Sequence, residues 1–344
     1  MKTEAQHLPQ DLITEILLRL PVKSLIRFKA VCKFWRSLIS DPLFANSHFE
    51  LATPRLVFTT DSDYDIQTID LDGRLHSNPF FEPINLDFLH SFFTFIEGSC
   101  RGFLLLRYYE SLHLWNPATR VHRPIPSISA IEDPGCQFGF GYDSSKDDYL
   151  VVIVSNHVTP VQFFSLRANV WKYIQSTDLP PLNLCYNHRP GLLLNEAIHW
   201  LACGHDKTKN VIVAFDLLER RLLEIPLPDD LACNLKSCAL LAHGGLLSVY
   251  VKRSDTLEIF VMEKYKIQSS WTKTIVVSLS GTDIFSICST KSGDIVMHSM
   301  TGLEKYTDKG EQLLEHCVGG GLLISQVYMY TESILSLPDA KGQS

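Results

Sequence analysis

Six bulky residues recur along the chain at a nearly constant interval, and that interval constrains the fold more than any other feature. Ile69, Trp115, Phe164, Phe215, Phe260 and Tyr306 are separated by 46, 49, 51, 45 and 46 residues. Turn formers follow four of them: Asp70-Leu71-Asp72-Gly73-Arg74, Asn116-Pro117-Ala118-Thr119-Arg120, Asp216-Leu217 and Thr307-Asp308-Lys309-Gly310. Between such turns lie short β-branched and aromatic runs, for example Leu56 to Phe58, Tyr149 to Val154 and Val211 to Phe215, which read as strands. A period of this length with several strands per unit is that of a propeller blade. The length available accommodates about six blades. Closure removes the unpaired edges that an open array of sheets would leave, so the last strand, near Tyr330 to Leu337, is expected to pair beside Arg55 to Thr60. An irregular β-sandwich is the competing architecture.

The first fifty residues have a different texture. Leu8, Leu12, Ile13, Ile16, Leu17 and Leu20 repeat at helical spacing. Pro9 suits the first turn, Asp11 and Glu15 favour the positive N-terminal end, and Pro21 stops the helix. Val22 to Ile39 reads as a second helical stretch, broken near Phe28 and limited by Pro42. Leu25, Ile26, Phe28, Val31, Phe34, Trp35, Leu38 and Ile39 are too many apolar side chains for one face of so short a segment. About 40 residues rarely build a self-sufficient core, so the surplus must pack on the rest of the chain or on another protein. A multi-domain chain follows: a small all-α unit at 1–50 and an all-β propeller at 51–344.

Charge narrows the partners. Residues 8–40 hold six bases (Arg19, Lys23, Arg27, Lys29, Lys33, Arg36) and two acids (Asp11, Glu15), so this head is +4 and the remainder of the −7 chain is −11. An acidic body argues against nucleic acid, and a basic head suits an acidic partner. Leu150 to Val154 is far too short to cross a bilayer. Nine cysteines are scattered with no CxxC pair, which points to reduced thiols inside the cell, in cytoplasm or nucleus.

Chemical motifs are sparse. Asp61-Ser62-Asp63-Tyr64-Asp65 opens like a calcium loop, but the sixth position, where the sharp turn needs glycine, is Ile66 and the twelfth is Asp72. The thirteen histidines include no HxH or HExxH, and His199, His205 and His243 read as packing or turn residues. There is no nucleophile elbow and no Walker loop; Gly319-Gly320-Gly321 reads as a turn. The aromatics Phe80, Phe81, Phe88, Phe92, Phe93 and Phe95 read as packed blade interior, with a sticky loop on the binding face as the alternative. No catalytic residue, metal site or cofactor is expected.

Leu8-Pro9, Asp11 to Leu25 and Val31 to Ile39 match in order, spacing and residue type the F-box motif, which this head resembles. Gly98 to Gly102, Leu114 to Arg120, Phe138 to Asp143, Asp148 to Val152, Ile198 to Leu201, Ser269 to Trp271 and Tyr330 to Leu337 are similar to the kelch-like F-box-associated domain of plant F-box proteins. Arg101, where that family more often has Asn, and Glu196, where Gly is usual, depart from the pattern. The resemblance implies three helices that insert apolar side chains into a Skp-type adaptor, itself bridged to a cullin. It implies that Leu8, Pro9, Leu12, Ile16, Leu20, Pro21, Leu25, Val31, Cys32, Trp35 and Leu38 face the adaptor or form the motif's core. It implies a non-catalytic recognition subunit of a Skp–cullin–F-box ubiquitin ligase that presents a target for ubiquitination and proteasomal degradation. The target and its binding residues are unknown from sequence; loops such as Ala130 to Gln137 and Leu182 to Pro190 are where recognition is expected. A propeller enzyme, hydrolase or oxidase, capped by helices is the alternative, as is an F-box scaffold that works without a cullin.

Overall fold

A computed structural model describes residues 8–60, 66–70, 82–84, 94–133, 135–155, 161–174, 183–184, 189–203, 210–228, 231, 237–279, 284–290, 292–299, 302–316 and 324–338. Four short helices lead: α1 (Gln10–Leu18), α2 (Val22–Phe28), α3 (Lys33–Ile39) and α4 (Pro42–Leu51). Three were expected. The fourth forms because Asp41 caps it, its carboxylate accepting from the backbone N–H of Leu43 at 2.8 Å and of Phe44 at 3.2 Å, with Pro42 in the first turn. Pro42 therefore starts a helix where the sequence reading had it only ending one. The break near Phe28 is real: α3 restarts from Cys32, whose sulfur accepts from Trp35 N–H.

Six antiparallel sheets follow, written here from inner to outer strand. Blade 1 holds Ile324–Tyr330, Arg55–Thr60, Ile66–Asp70 and Glu82–Ile84. Blade 2 holds Thr94–Cys100, Phe103–Tyr108, Ser111–Trp115 and His122–Ile125, and blade 3 holds Gln137–Asp143, Asp148–Val154, Val161–Ser165 and Val170–Ile174. In blade 4 the inner position is shared by Asn183–Leu184 and Leu192–Leu194, followed by Ala197–Cys203, Asn210–Asp216 and Arg221–Pro226. Blade 5 has Cys238–His243, Leu246–Lys252, Thr256–Met262 and Trp271–Ser278; blade 6 has Ile284–Ser289, Ile295–Ser299, Gly302–Tyr306 and Gln312–His316. The inner strands neighbour one another in a closed ring, blade 6 meeting blade 1.

The six periodic residues all lie on the third strand of their blades. Each stands opposite an aliphatic residue of the second strand: Ile69 and Leu56, Trp115 and Leu104, Phe164 and Val151, Phe215 and Ile198, Phe260 and Val249, Tyr306 and Ile295. The repeat is thus one cross-strand pair used six times. Five of the six are buried and Phe260 is half-buried.

Closure pairs the expected edge with a shifted segment. Arg55 lies opposite Tyr330, and Thr59 opposite Gln326, so the closing strand is Ile324–Tyr330 rather than 330–337. The tail leaves the sheet because its polar groups are claimed elsewhere: Glu332 pairs with Arg55 at 3.2 Å, and the Ser333 hydroxyl donates to the Arg101 carbonyl at 2.8 Å. Ile334 and Leu335 then bury in one core cluster with Leu17, Leu25, Ile39 and Phe44 of the helices and with Phe103, Phe140 and Tyr149 of blades 2 and 3.

The calcium-like loop 61–65, His205, Gly319 to Gly321 and the aromatics Phe80, Phe81, Phe88, Phe92 and Phe93 fall outside the described residues. His199 is a packed core residue. Its Nδ1 donates to the Leu192 carbonyl at 3.1 Å, and its Nε2 accepts from the Tyr265 hydroxyl at 2.7 Å. Burial pushes its pKa down from the ordinary 6.5 to about 4. In the unfolded chain the ring takes up a proton below about pH 6.5, whereas in the fold it does not until about pH 4. Stability is therefore complete above pH 6.5 and is lost as pH falls through that window, by up to about 3 kcal/mol. Thermal unfolding from pH 7.5 to 4 is expected to show this slope, shallower in His199→Gln; equal slopes would assign the acid loss to other groups.

Candidate functional site

The helical head has two apolar faces. Side chains at i, i+4 and i+8 of a helix align. Leu8 (58% exposed), just before α1, Leu12 (51%) and Ile16 (52%) follow this spacing and point to solvent, while Leu17 buries inward. Val31 (60% exposed) and Cys32 extend the open set between α2 and α3. Pro9 and Pro21 are also exposed and set the starts of α1 and α2, each accepting first-turn N–H bonds on its carbonyl. Leu20, Trp35 and Leu38 are half-buried and pack against the core, and Leu25 is fully buried. The structure therefore divides the eleven residues singled out in the sequence: Leu25 holds the helices together, three straddle, and seven lie open. Three open apolar side chains were not in that set, Phe34, Leu43 and Leu51, with Leu43 78% and Leu51 63% exposed. Leu43 directly follows Pro42, so reading Pro42 as a helix end hid it.

The inward face is docked on the propeller. Strand alternation places the Arg101-Gly102 turn, the Asn116 to Val121 turn and the chain end after Tyr330 on one face, and the helices sit there. Arg101 ties them down. Its Nη2 donates to Asn46 Oδ1 of α4, and its guanidinium lies 4.2 Å from the Tyr142 ring centroid and 5.7 Å from that of Phe49. Its φ is +50°, a left-handed conformation in which Asn is more at ease than Arg. Glu196, where Gly is usual, likewise has φ +56°. Behind Arg101, Gly102 is required by close approach: a Cβ there would sit 2.0 Å from Ser333 Oγ. Asn116 completes the junction. Its Oδ1 accepts from Ala118 and Thr119 N–H, closing the turn as expected, and its Nδ2 donates to the Ser333 carbonyl at 3.1 Å, a bond across 217 residues that no local pattern announces.

Arg101→Ala keeps the backbone class but removes the bond to Asn46 and both ring contacts. A charged hydrogen bond and two cation–π contacts together are worth about 2–4 kcal/mol. The expected result is faster amide exchange in Phe44 to Leu51 with the blade strands unchanged. Unchanged α4 exchange would show that apolar packing alone holds the head.

The opposite face carries the second-to-third-strand turns and the links between blades. Of the two loops expected there to recognise a target, the first is largely core: Ala130, Ile131 and Cys136 are buried. The second is described only at Asn183–Leu184, Arg189 and Pro190. Asp143, in the Phe138 to Asp143 motif, is a structural hub. Burial alone would raise its pKa, but bonds from the Ser145 hydroxyl, the Arg220 guanidinium at 2.7 Å and two backbone N–H groups hold it below the usual carboxylate range. Among the described residues no three His, Cys, Asp or Glu side chains converge to hold a metal ion.

Comparison with known proteins decides the family. An F-box associated beta propeller domain profile matches residues 55–307, and an F-box domain profile matches residues 6–46. This chain is an F-box protein with an F-box-associated β-propeller. It is 31% identical over 299 residues to an F-box/kelch-repeat protein of Arabidopsis thaliana, covering 79% of each chain. It is 27% identical over 304 residues to the F-box protein CPR1 of the same plant, covering 78% of this chain and 73% of that one. In fold it is similar to a chain in a crystal structure of a nidogen/laminin complex, with a TM-score of 0.50, 10% identity and coverage of 80% and 98%. Family membership gives the F-box protein a recognition-adaptor role, and the F-box implies a Skp-type adaptor as its partner.

Proposed function

We propose that this F-box protein is the substrate-recognition subunit of a Skp–cullin–F-box ubiquitin ligase. One observation carries the reading. The head buries one apolar face in the propeller while Leu8, Leu12, Ile16, Val31, Phe34 and Leu43 remain open on the surface of a chain with ample core elsewhere. Six exposed large apolar side chains within 36 residues are what a protein-binding surface needs and a mere cap does not. The +4 charge of residues 8–40 suits an acidic adaptor. In this reading the chain does no chemistry. The adaptor links it to a cullin, a separate enzyme transfers ubiquitin, and the propeller supplies proximity by holding the target for ubiquitination and degradation. Cytoplasm or nucleus is the proposed place of action, in keeping with the cysteine pattern.

A pull-down with recombinant Skp-type adaptor tests this. The intact protein is expected to bind one to one, and Leu8→Ala/Pro9→Ala to bind more weakly. A folded intact protein that fails to bind would overturn the ligase reading and make the head a cap.

A further inference from the structure

The inner part of the propeller carries a charge that no described carboxylate pairs with. The inner strand of blade 4 is interrupted: Leu184 pairs with Ala202 and Leu192 with His199, and Arg189 lies in the interval between them, on the channel side of the blade. At Gly191, just after it, the backbone presses on Ile198 and Trp200, with no room for a side chain: a Cβ would stand 2.3 Å from Ile198 Cγ2 and 2.6 Å from Trp200 Cε2. The Arg189 side chain reaches blade 5, where Nη1 donates to the Tyr250 hydroxyl at 2.6 Å and the guanidinium lies 5.6 Å from that ring's centroid. Its field is also felt at Tyr328 on the inner strand of blade 1.

The acid of this belt is already taken. Glu97 sits at a bulge in the inner strand of blade 2, which re-aims its side chain, and its Oε1 accepts from Arg107 Nε at 2.6 Å. Beside it, Gln326 Oε1 accepts from Ile96 N–H at 2.9 Å and its Nε2 donates toward the Tyr328 hydroxyl. Among the described residues no carboxylate lies within ion-pair distance of Arg189. A half-buried guanidinium normally finds a carboxylate, because its desolvation is otherwise uncompensated. Among the described residues this one bonds a neutral phenol and no carboxylate, in a body whose acids outnumber its bases by eleven. A guanidinium has five N–H donors in a fork that matches a carboxylate or phosphate, and the Tyr250 hydroxyl uses one of them.

We propose that the central channel receives one anionic group, a carboxylate or a phosphate, at Arg189, with the Tyr250 hydroxyl fixing the guanidinium's orientation. This rests on the propeller being the target receptor, and it makes the channel the part of the receptor that reads charge. Tyr250, which Arg189 bonds, and Tyr328, at which its charge is felt, are described polar groups beside it, and selectivity against cations comes from Arg189.

The intact protein would be titrated, by calorimetry at low salt, with inorganic phosphate and acetate, and with capped peptides carrying one phosphoserine, one glutamate or one serine. Binding of a phosphoserine or glutamate peptide that the serine peptide lacks, weakened at least about tenfold in Arg189→Gln and partly restored in Arg189→Lys, supports the proposal with a target segment as the source. Binding of phosphate or acetate equal to that of the peptides, and equally lost in Arg189→Gln, supports it with a free anion as the source. Tyr250→Phe is expected to weaken either several-fold. Affinity unchanged in Arg189→Gln, or no binding of any probe at about 10 mM, overturns it. Each variant's melting temperature and adaptor capture are read on the same sample. A misfolded variant is thereby recognised, and a failure of the channel site is distinguished from a failure of the ligase reading.

Discussion

Ile16→Asp is expected to abolish adaptor capture while leaving the propeller's melting temperature within about 1–2 °C of the parent. Ile16 is half exposed on the open face of α1, so in the free protein the new carboxylate stays hydrated. In a complex the same position would be desolvated between apolar surfaces. The loss is then the transfer term of a buried isoleucine, about 1.5–3 kcal/mol, plus the penalty of burying an unpaired charge, so at least a hundredfold in affinity. Leu12→Asp is expected to behave alike. Leu25→Ala is the contrast. Leu25 is fully buried among Leu17, Ile39 and Phe44, so its truncation leaves a cavity costing about 2–5 kcal/mol and loosens the head before any partner is met. Titration of each variant with adaptor by calorimetry, beside thermal unfolding, separates the two. Full affinity in Ile16→Asp would place the adaptor on another surface, and the ligase reading would then need one.

A chain ending at Val318 is expected not to fold into a cooperative propeller, whereas one ending at Tyr330 is expected to fold and melt about 7–11 °C below the parent. The first loses the inner strand of blade 1. Arg55–Thr60 then becomes an open edge, and Leu56, Val57 and Phe58, all fully buried, lose the cover of Val327 and Tyr330. The second keeps the closing strand and loses the tail. Burial of Ile334 and Leu335 contributes about 3–6 kcal/mol, and the Ser333 bonds to Arg101 and Asn116 about 1 kcal/mol each. For a chain of this length about 0.7 kcal/mol corresponds to one degree at the midpoint. Circular dichroism melts and limited proteolysis of the two truncations check this. An unaltered melt for the chain ending at Tyr330 would show that the tail only lies on the surface.

Much of this was legible locally. The repeat from Ile69 to Tyr306 is visible because every blade uses the same cross-strand pair, a bulky residue facing an aliphatic one, at the same step of the chain. The head is visible because helical periodicity, Pro21 and the Val31 to Ile39 run act within a few residues of each other. The turn at Asn116 is visible for the same reason. The fourth helix was equally local, written in Asp41-Pro42, and was missed by taking Pro42 as a stop rather than a first-turn residue.

What escaped the sequence depends on contacts between residues far apart in the chain. The closing strand is Ile324–Tyr330 and not the segment after it, because Ser333 and Glu332 are drawn to Arg101, Asn116 and Arg55, more than two hundred residues away. The split of the head into a docked and an open face was set by the surface that blades 2 and 3 present to it, which α1 alone does not encode. Arg101 was seen as a departure in a turn, yet only the arrival of Asn46 and Phe49 from α4 makes it a tie between domains. Arg189 sat in an unreadable loop until the ring brought Tyr250 and Tyr328 to it. Periodicity and turn chemistry fix which residues form strands and helices, since those energies are local. Which charges are paired, which apolar faces are covered and where the ring closes are decided by tertiary packing, because the partners meet only once the ring has formed.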